Sequence, residues 1–208
     1  MHRAAAAVLL AAACGLTAGA AGAQTGELRG RVTLGVAGVP LAAVAPIVVY
    51  LEPLDGSQAG GGGPQRAARM RQHDARFAPS FLVVAAGTSV EMANDDAIYH
   101  NVFSYSRPND FDLGLYPAGE TRTLVLKHAG VVKLYCSIHE SMNATIVVTP
   151  TRWFHVVDAK GGYAVTGIRP GRYRAVVWAE RLPPTAKQIE IGAGQREVLD
   201  WVVGSPSS

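Results

Sequence analysis

Cys136, His139 and Met142 follow one another at three-residue spacing in Tyr135-Cys136-Ser137-Ile138-His139-Glu140-Ser141-Met142, and a further histidine, His100, lies upstream in Tyr99-His100-Asn101-Val102-Phe103. A soft thiolate, two imidazoles and a thioether are the donor set of a mononuclear blue-copper electron-transfer site, in which two His and one Cys form a plane and a Met is the weak axial ligand. Singly, these residues say little. An isolated Cys is usually a small buried hydrophobe and an isolated Met is core filler. A lone His on a strand is more often a surface or hydrogen-bonded residue than a ligand. The combination is what points to a metal. Zinc is the competing ion, but structural zinc takes four strong ligands, usually several Cys and His, and a thioether suits copper better. No second cysteine lies nearby, which argues against iron–sulfur clusters and thiolate-bridged dinuclear copper. A catalytic Cys/His pair is the remaining alternative; the β-rich surroundings and Met142 weigh against it.

The elements that must position these residues begin after a leader. His2 and Arg3, the apolar stretch 4–13 and the small residues Ala21-Gly22-Ala23 ahead of Gln24 read as an export signal over residues 1–23. This predicts a periplasmic or otherwise exported protein. The leader is too short and alanine-rich for a membrane span, and no other run is long and apolar enough for one. Lipid attachment at Cys14 is a rival, but Ala11-Ala12-Ala13 lacks the leucine such a site favours. The formal net charge of +3 drops by one with Arg3. Such a weak, scattered balance excludes the basic stripe of a nucleic-acid binder. The chain has two cysteines, so loss of Cys14 leaves Cys136 alone. A lone thiol in an oxidising compartment is a liability unless it is buried or metal-bound.

Short runs rich in β-branched and aromatic residues predict strands over 28–34, 47–52, 81–85, 89–92, 99–104, 121–126, 131–135 and 144–149. After Pro150 they recur over 153–157, 163–168, 173–179, 186–191 and 197–203. Turn signals separate them, among them Ala86-Gly87-Thr88, Pro117-Ala118-Gly119 and Lys160-Gly161-Gly162. Only 65–72 has a helix-friendly composition. The pattern predicts an all-β protein built of sandwiches. Residues 55–65 read as a Gly-rich linker, and a softer boundary falls at Thr149-Pro150-Thr151. A central domain over 66–149 thus holds all four candidate ligands. The flanks, 24–54 and 150–204, read as two parts of one smaller β-domain, because the first offers only two strands, too few for a sheet of its own. His73 and His155 read as surface or loop residues, His128 and Asp112 as turn residues, and Trp153, Trp178 and Trp201 as packing in the outer pieces.

Residues 66–149 resemble the cupredoxins, close to the plastocyanin and amicyanin type. The resemblance rests on His100-Asn101-Val102, on Tyr135-Cys136-Ser137, on the spacing Cys136-x2-His139-x2-Met142, and on Phe77-x-Pro79, Val84-x-x-Gly87-x-x-Val90 and Asn94-x-Asp96 upstream. It implies a Greek-key sandwich holding one type 1 copper ion, with His100, Cys136 and His139 equatorial, Met142 axial and Asn101 tying the ligand-bearing segments together. Ile138 stands where plastocyanins commonly have proline, and Glu140 where an apolar surface is usual. In the flanks, Asp158-Ala159-Lys160-Gly161-Gly162-Tyr163 and Pro170-Gly171-Arg172-Tyr173 resemble the transthyretin-like regulatory domain of carboxypeptidases, and the strands at 30–33 and 48–52 resemble its start. The mature chain is also similar to exported bacterial plastocyanin-like proteins, some labelled methylamine-utilisation proteins.

The expected function is single-electron transfer by an exported copper protein that is not an enzyme. The resemblance implies a c-type cytochrome or a dehydrogenase as redox partner, with no nucleic acid and no membrane span involved. The rival reading is a periplasmic copper carrier or sequestration protein. A third is an envelope interaction module with a vestigial site. An accessible, mostly apolar surface around His139 separates the first reading from the second.

Overall fold

The computed structural model describes residues 24–56 and 66–204. The expected leader 1–23 with Cys14, and positions 57–65 of the expected linker, lie outside the described residues. The chain is nearly all β, as its alternating β-branched runs predict. Two sheets come from the middle of the chain. One, ordered β5-β11-β10-β7-β8, contains β5 (Phe81–Ala85), β7 (His100–Ser104), β8 (Phe111–Tyr116), β10 (Gly130–Tyr135) and β11 (Asn143–Thr149). The other, ordered β4-β3-β6-β9, contains β3 (Ala68–His73), β4 (Arg76–Ala78), β6 (Thr88–Asn94) and β9 (Thr121–Leu126). The inward faces share one core that includes Met70, Val90, Met92, Val102, Leu134, Ile146 and Cys136.

The two ends of the chain build the other two sheets. β1 (Gly26–Leu34) pairs antiparallel with β13 (Gly162–Ile168) and parallel with β16 (Arg196–Val198) and β17 (Trp201–Val203). β2 (Ile47–Pro53) lies between β12 (Phe154–Val156) and β14 (Gly171–Ala179), and β15 (Leu182–Ile191) closes that sheet. Residues 26–53 therefore pair with residues 154–203. Their separate core is led by Leu28, Leu51, Trp153, Tyr163, Ile168, Tyr173 and Trp201.

β14 shows why its run Ala175-Val176-Val177-Trp178-Ala179 is apolar without a break. Ala175, Val177 and Ala179 face the outer core. Val176 is also buried, yet belongs to neither core. Its face of the sheet turns toward the central unit, where Trp178 stacks on Phe81 of β5 with centroids 6.0 Å apart and planes 7° from parallel. Beside this stack, Glu180 Oε1 accepts from Lys133 Nζ at 2.6 Å and from Thr145 Oγ1 at 3.2 Å. A strand buried on both faces reads as a continuous apolar run.

One stretch of ambiguous composition is assigned and two local expectations are corrected. The helix-friendly stretch 65–72 contributes the strand β3, with Met70 and Gln72 buried and Arg69 and Arg71 exposed. Parallel pairing with β6 overrides the weak local propensity. Asp112 lies in a strand, β8, although its Oδ1 does accept the Gly114 N–H at 2.7 Å in a local turn. His155 is a half-buried residue of β12 whose Nδ1 is enclosed without a partner. Trp153 and Trp201 are core residues as expected. Among the described residues, no helix is long and apolar enough to cross a membrane.

Candidate metal centre

Strand register brings the ligand candidates together. Tyr135, the last residue of β10, sits opposite Phe103 of β7 on one side and Asn143 of β11 on the other. The chain leaving β10 must turn at once to enter β11, so residues 136–142 form a tight loop beside the start of β7. That loop is closed by the Met142 N–H donating to the His139 carbonyl at 2.9 Å. It is tied to β7 by Asn101, whose Oδ1 accepts from the Ser137 N–H at 2.8 Å and from the Ser137 hydroxyl at 3.0 Å. The two segments are joined at the position expected for Asn101.

One donor atom from each of His100, Cys136 and His139 lies within 4.8 Å of the others. Cys136 Sγ is 3.7 Å from His100 Nδ1. The rings of His100 and His139 have centroids 5.1 Å apart. His100 is fully buried, Cys136 nearly so, and His139 partly exposed. Met142 is buried in the same apolar cluster as Cys136. Its backbone closes the loop, and the core surrounds its side chain.

The residues fit a metal ion. A metal about 2.0 Å from an imidazole nitrogen and about 2.3 Å from a thiolate, at a near-trigonal angle, leaves nitrogen and sulfur roughly 3.5–3.7 Å apart, close to the separation of His100 Nδ1 and Cys136 Sγ. His139 Nδ1 is buried with no hydrogen-bond partner. A metal ion is one partner that would satisfy it. The donor set, one sulfur and two nitrogens at the edge of an apolar core, is that of a soft or borderline ion.

Asp96 completes the arrangement. Its Oδ2 lies 2.8 Å from His100 Nε2. An ionised carboxylate only accepts, so Nε2 carries a proton toward Asp96, and in the neutral ring Nδ1 is the nitrogen left to bind a metal beside Cys136. A carboxylate on the far nitrogen is the usual way a metal-binding imidazole is oriented and made more basic. Burial pushes the Asp96 carboxyl up, but the Ala75 N–H, the His100 ring and the Asp74 N–H together outweigh it and hold it below the usual carboxylate range. Asn94 shapes the loop between them. Its Nδ2 donates to the carbonyls of Ile98 and Tyr116, and its Oδ1 accepts the Asp96 N–H. In the sequence Asn94-x-Asp96 enters as a turn and as part of the cupredoxin resemblance, with no role assigned to Asp96. The signal that could have singled out Asp96 is its spacing of four residues ahead of His100. A second group of donors, His73, Asp74 and Asp96, also lies within 4.8 Å, but His73 and Asp74 are exposed.

The surface next to the site is mixed. Ile138 beside His139, and Ile98 and Tyr99 just before His100, are large apolar side chains about half exposed. Glu140 and Ser141 are exposed on the loop. Away from the site, His155, Asp158 and Arg31 line an open cleft of the outer unit.

No protein-family model matches the chain, and no curated protein does. Among solved structures it is similar to a purple cupredoxin from Nitrosopumilus maritimus, with 24% identity over 39% of this chain and 99% of that one, at a TM-score of 0.36. It is similar as well to a reduced Cu(I) form of an amicyanin variant, with 20% identity over 43% of this chain and 89% of that one, at a TM-score of 0.38. A second reduced amicyanin variant shows 19% identity over 48% of this chain and 97% of that one, at the same score. The likeness is partial and concerns the fold; the chemistry rests on the side chains just described.

Proposed function

We propose that this chain is an exported type 1 copper protein that passes single electrons between redox partners, with His100, Cys136 and His139 as close ligands and Met142 as the weak axial one. The observation that carries the reading is one cysteine sulfur and two imidazoles whose donor atoms lie within 4.8 Å of one another, with His139 Nδ1 enclosed and without a partner, at the edge of an apolar core. A bound copper ion would supply a one-electron couple there. The protein's own part is to keep the donors still. Asp96 fixes the His100 ring, Asn101 anchors the Cys136 loop through Ser137, and the core holds Met142. Donors that move little between oxidation states keep the cost of reorganisation small. His139, the one partly exposed ligand candidate, is the exit for the electron.

The surface beside the site is mixed: Ile138 and Tyr99 offer apolar area to a docking partner while Glu140 and Ser141 are polar, so it is the rate of electron exchange that separates this reading from copper storage. The partner class is a c-type cytochrome or a dehydrogenase, the setting is the periplasm, and the chain performs no catalysis of its own. The outer pieces are read as a single transthyretin-like sandwich. Stopped-flow mixing of the copper-loaded protein with a small c-type cytochrome tests the reading. Rapid electron exchange supports it. Slow exchange with every such partner, together with ready transfer of Cu(I) to an apo-acceptor, replaces it with the carrier reading.

A further inference from the structure

Asp96 is held by a hairpin turn whose second residue, Ala75, is poorly suited to the shape the turn requires. β3 and β4 are joined by Asp74 and Ala75, with His73 opposite Arg76. Both turn residues have positive φ, 52° and 50°. A two-residue hairpin needs this conformation, and Asn-Gly or Asp-Gly normally supplies it. Ala75 has no aptitude for the left-handed region. The β3–β4 pairing imposes it, and contacts from across the structure support it. The Asp74 N–H donates to Asp96 Oδ1 at 2.6 Å, and the Ala75 N–H to Asp96 Oδ2 at 3.0 Å. Oδ2 is the same oxygen that receives His100 Nε2 at 2.8 Å. Two further contacts keep the segments together, the Asp95 N–H on the Gln72 carbonyl and Arg71 against Asp95 at 3.3 Å.

We propose that the Asp74–Ala75 turn is a lock on the copper site: its two N–H groups clamp the Asp96 carboxylate, and through it the His100 ring, so that this hairpin sets metal affinity and reduction potential while touching no ligand. The proposal rests on the copper reading above. Strained backbone is kept where the surroundings over-determine it, and such places cluster at ligand clamps. Two donors converging on one carboxylate leave it a single orientation. Without them Asp96, already at the surface edge with 12% of its side chain exposed, would be free to turn to water and leave His100 without its partner. A ligand that is less basic and less fixed favours Cu(I).

The test has two arms. In the apo-protein, amide exchange at Asp74 and Ala75 is expected to be slow and to become fast in Asp96→Ala; fast exchange in the unmutated protein overturns the lock. In the copper-loaded protein, two glycines inserted between Asp74 and Ala75 are expected to weaken Cu(II) binding by about 10- to 100-fold, the usual effect of losing an outer partner of a ligand. The same insertion should raise the reduction potential and alter the copper hyperfine splitting. Replacing both residues by glycine keeps the N–H groups and suits the φ values, so it should stay within about twofold of the parent affinity. An insertion variant with unchanged affinity and potential overturns the lock while leaving the copper reading intact. A parent that never turns blue overturns both, and the exchange arm still reports whether the turn holds Asp96. If the insertion prevents folding, the exchange result decides: amides of Asp74 and Ala75 as fast in the parent as in Asp96→Ala overturn the lock.

Discussion

Asn101 Oδ1 accepts two hydrogen bonds from Ser137, one from its N–H at 2.8 Å and one from its hydroxyl at 3.0 Å. One side chain on β7 thereby pins the residue after Cys136. Asn101→Ala leaves the Ser137 N–H to find another acceptor. Ser137 is exposed and its N–H can turn to water, so the apo-protein should lose only about 0.5–1.5 kcal/mol, the net worth of an ordinary hydrogen bond. Chemical denaturation measures this. The copper form should keep its colour but exchange its ion faster; an unchanged off-rate would mean that the loop is held by β10 and β11 alone.

Met142 gives the second prediction. If its thioether is the weak axial donor, Met142→Gln should keep copper and colour while lowering the reduction potential, because a harder oxygen donor favours Cu(II). Voltammetry reads the shift. Met142 is fully buried in the core, so a potential that does not move, paired with a loss of stability, would assign it to packing only.

The seam between the units supplies a third. Trp178 of β14 stacks on Phe81 of β5, with the Lys133–Glu180 pair alongside. Trp178→Ala should lower the melting temperature and split one thermal transition into two, as each core then melts alone. Calorimetry distinguishes this from a single shifted peak, the result expected if the stack contributes nothing to the coupling.

The same seam has a pH signature. The hydrogen bond from Lys133 holds the Glu180 carboxyl below its ordinary value of about 4.5 despite the opposing effect of burial. A group depressed in the folded state adds stability above its unfolded pKa and loses it as pH falls through the folded one. Stability should therefore decline below about pH 4.5, and Glu180→Gln should flatten that part of the profile. A variant whose acid limb matches the parent's assigns the decline to other carboxylates.

The architecture of the site was written in the sequence only where chemistry is local. Cys136, His139 and Met142 share one loop, so their spacing reveals them, and His100 is visible because it opens an apolar strand. The role of Asp96 was not visible, although Asn94-x-Asp96 belongs to the family pattern, since that role depends on a hairpin more than twenty residues away folding back so that the N–H groups of Asp74 and Ala75 meet it. β3 was hidden for a related reason. Its arginines favour a helix in isolation, and only pairing with β6 makes Met70 and Gln72 an inward face. β14 was visible as a strand, but Trp178 could not be assigned to the seam until Phe81 was found opposite it.

The exposed loop also makes a prediction about partners. Glu140 follows His139 and points to solvent. A positively charged partner would feel its charge within roughly 10 Å at ordinary ionic strength. Electron exchange with a basic c-type cytochrome should slow as salt rises and should slow again in Glu140→Lys. Rates indifferent to both changes would place the contact on the apolar residues Ile138 and Tyr99 alone.

The most direct measurement is spectroscopic. Protein comprising residues 24–208 is loaded with one equivalent of Cu(II), and its visible and electron paramagnetic resonance spectra are recorded beside those of Cys136→Ser. Thiolate coordination predicts an intense visible charge-transfer band with narrow copper hyperfine splitting in the parent, and loss of the band in a variant that still folds. A colourless parent adduct with the wide splitting of ordinary Cu(II), or a variant that keeps the band, would contradict the account.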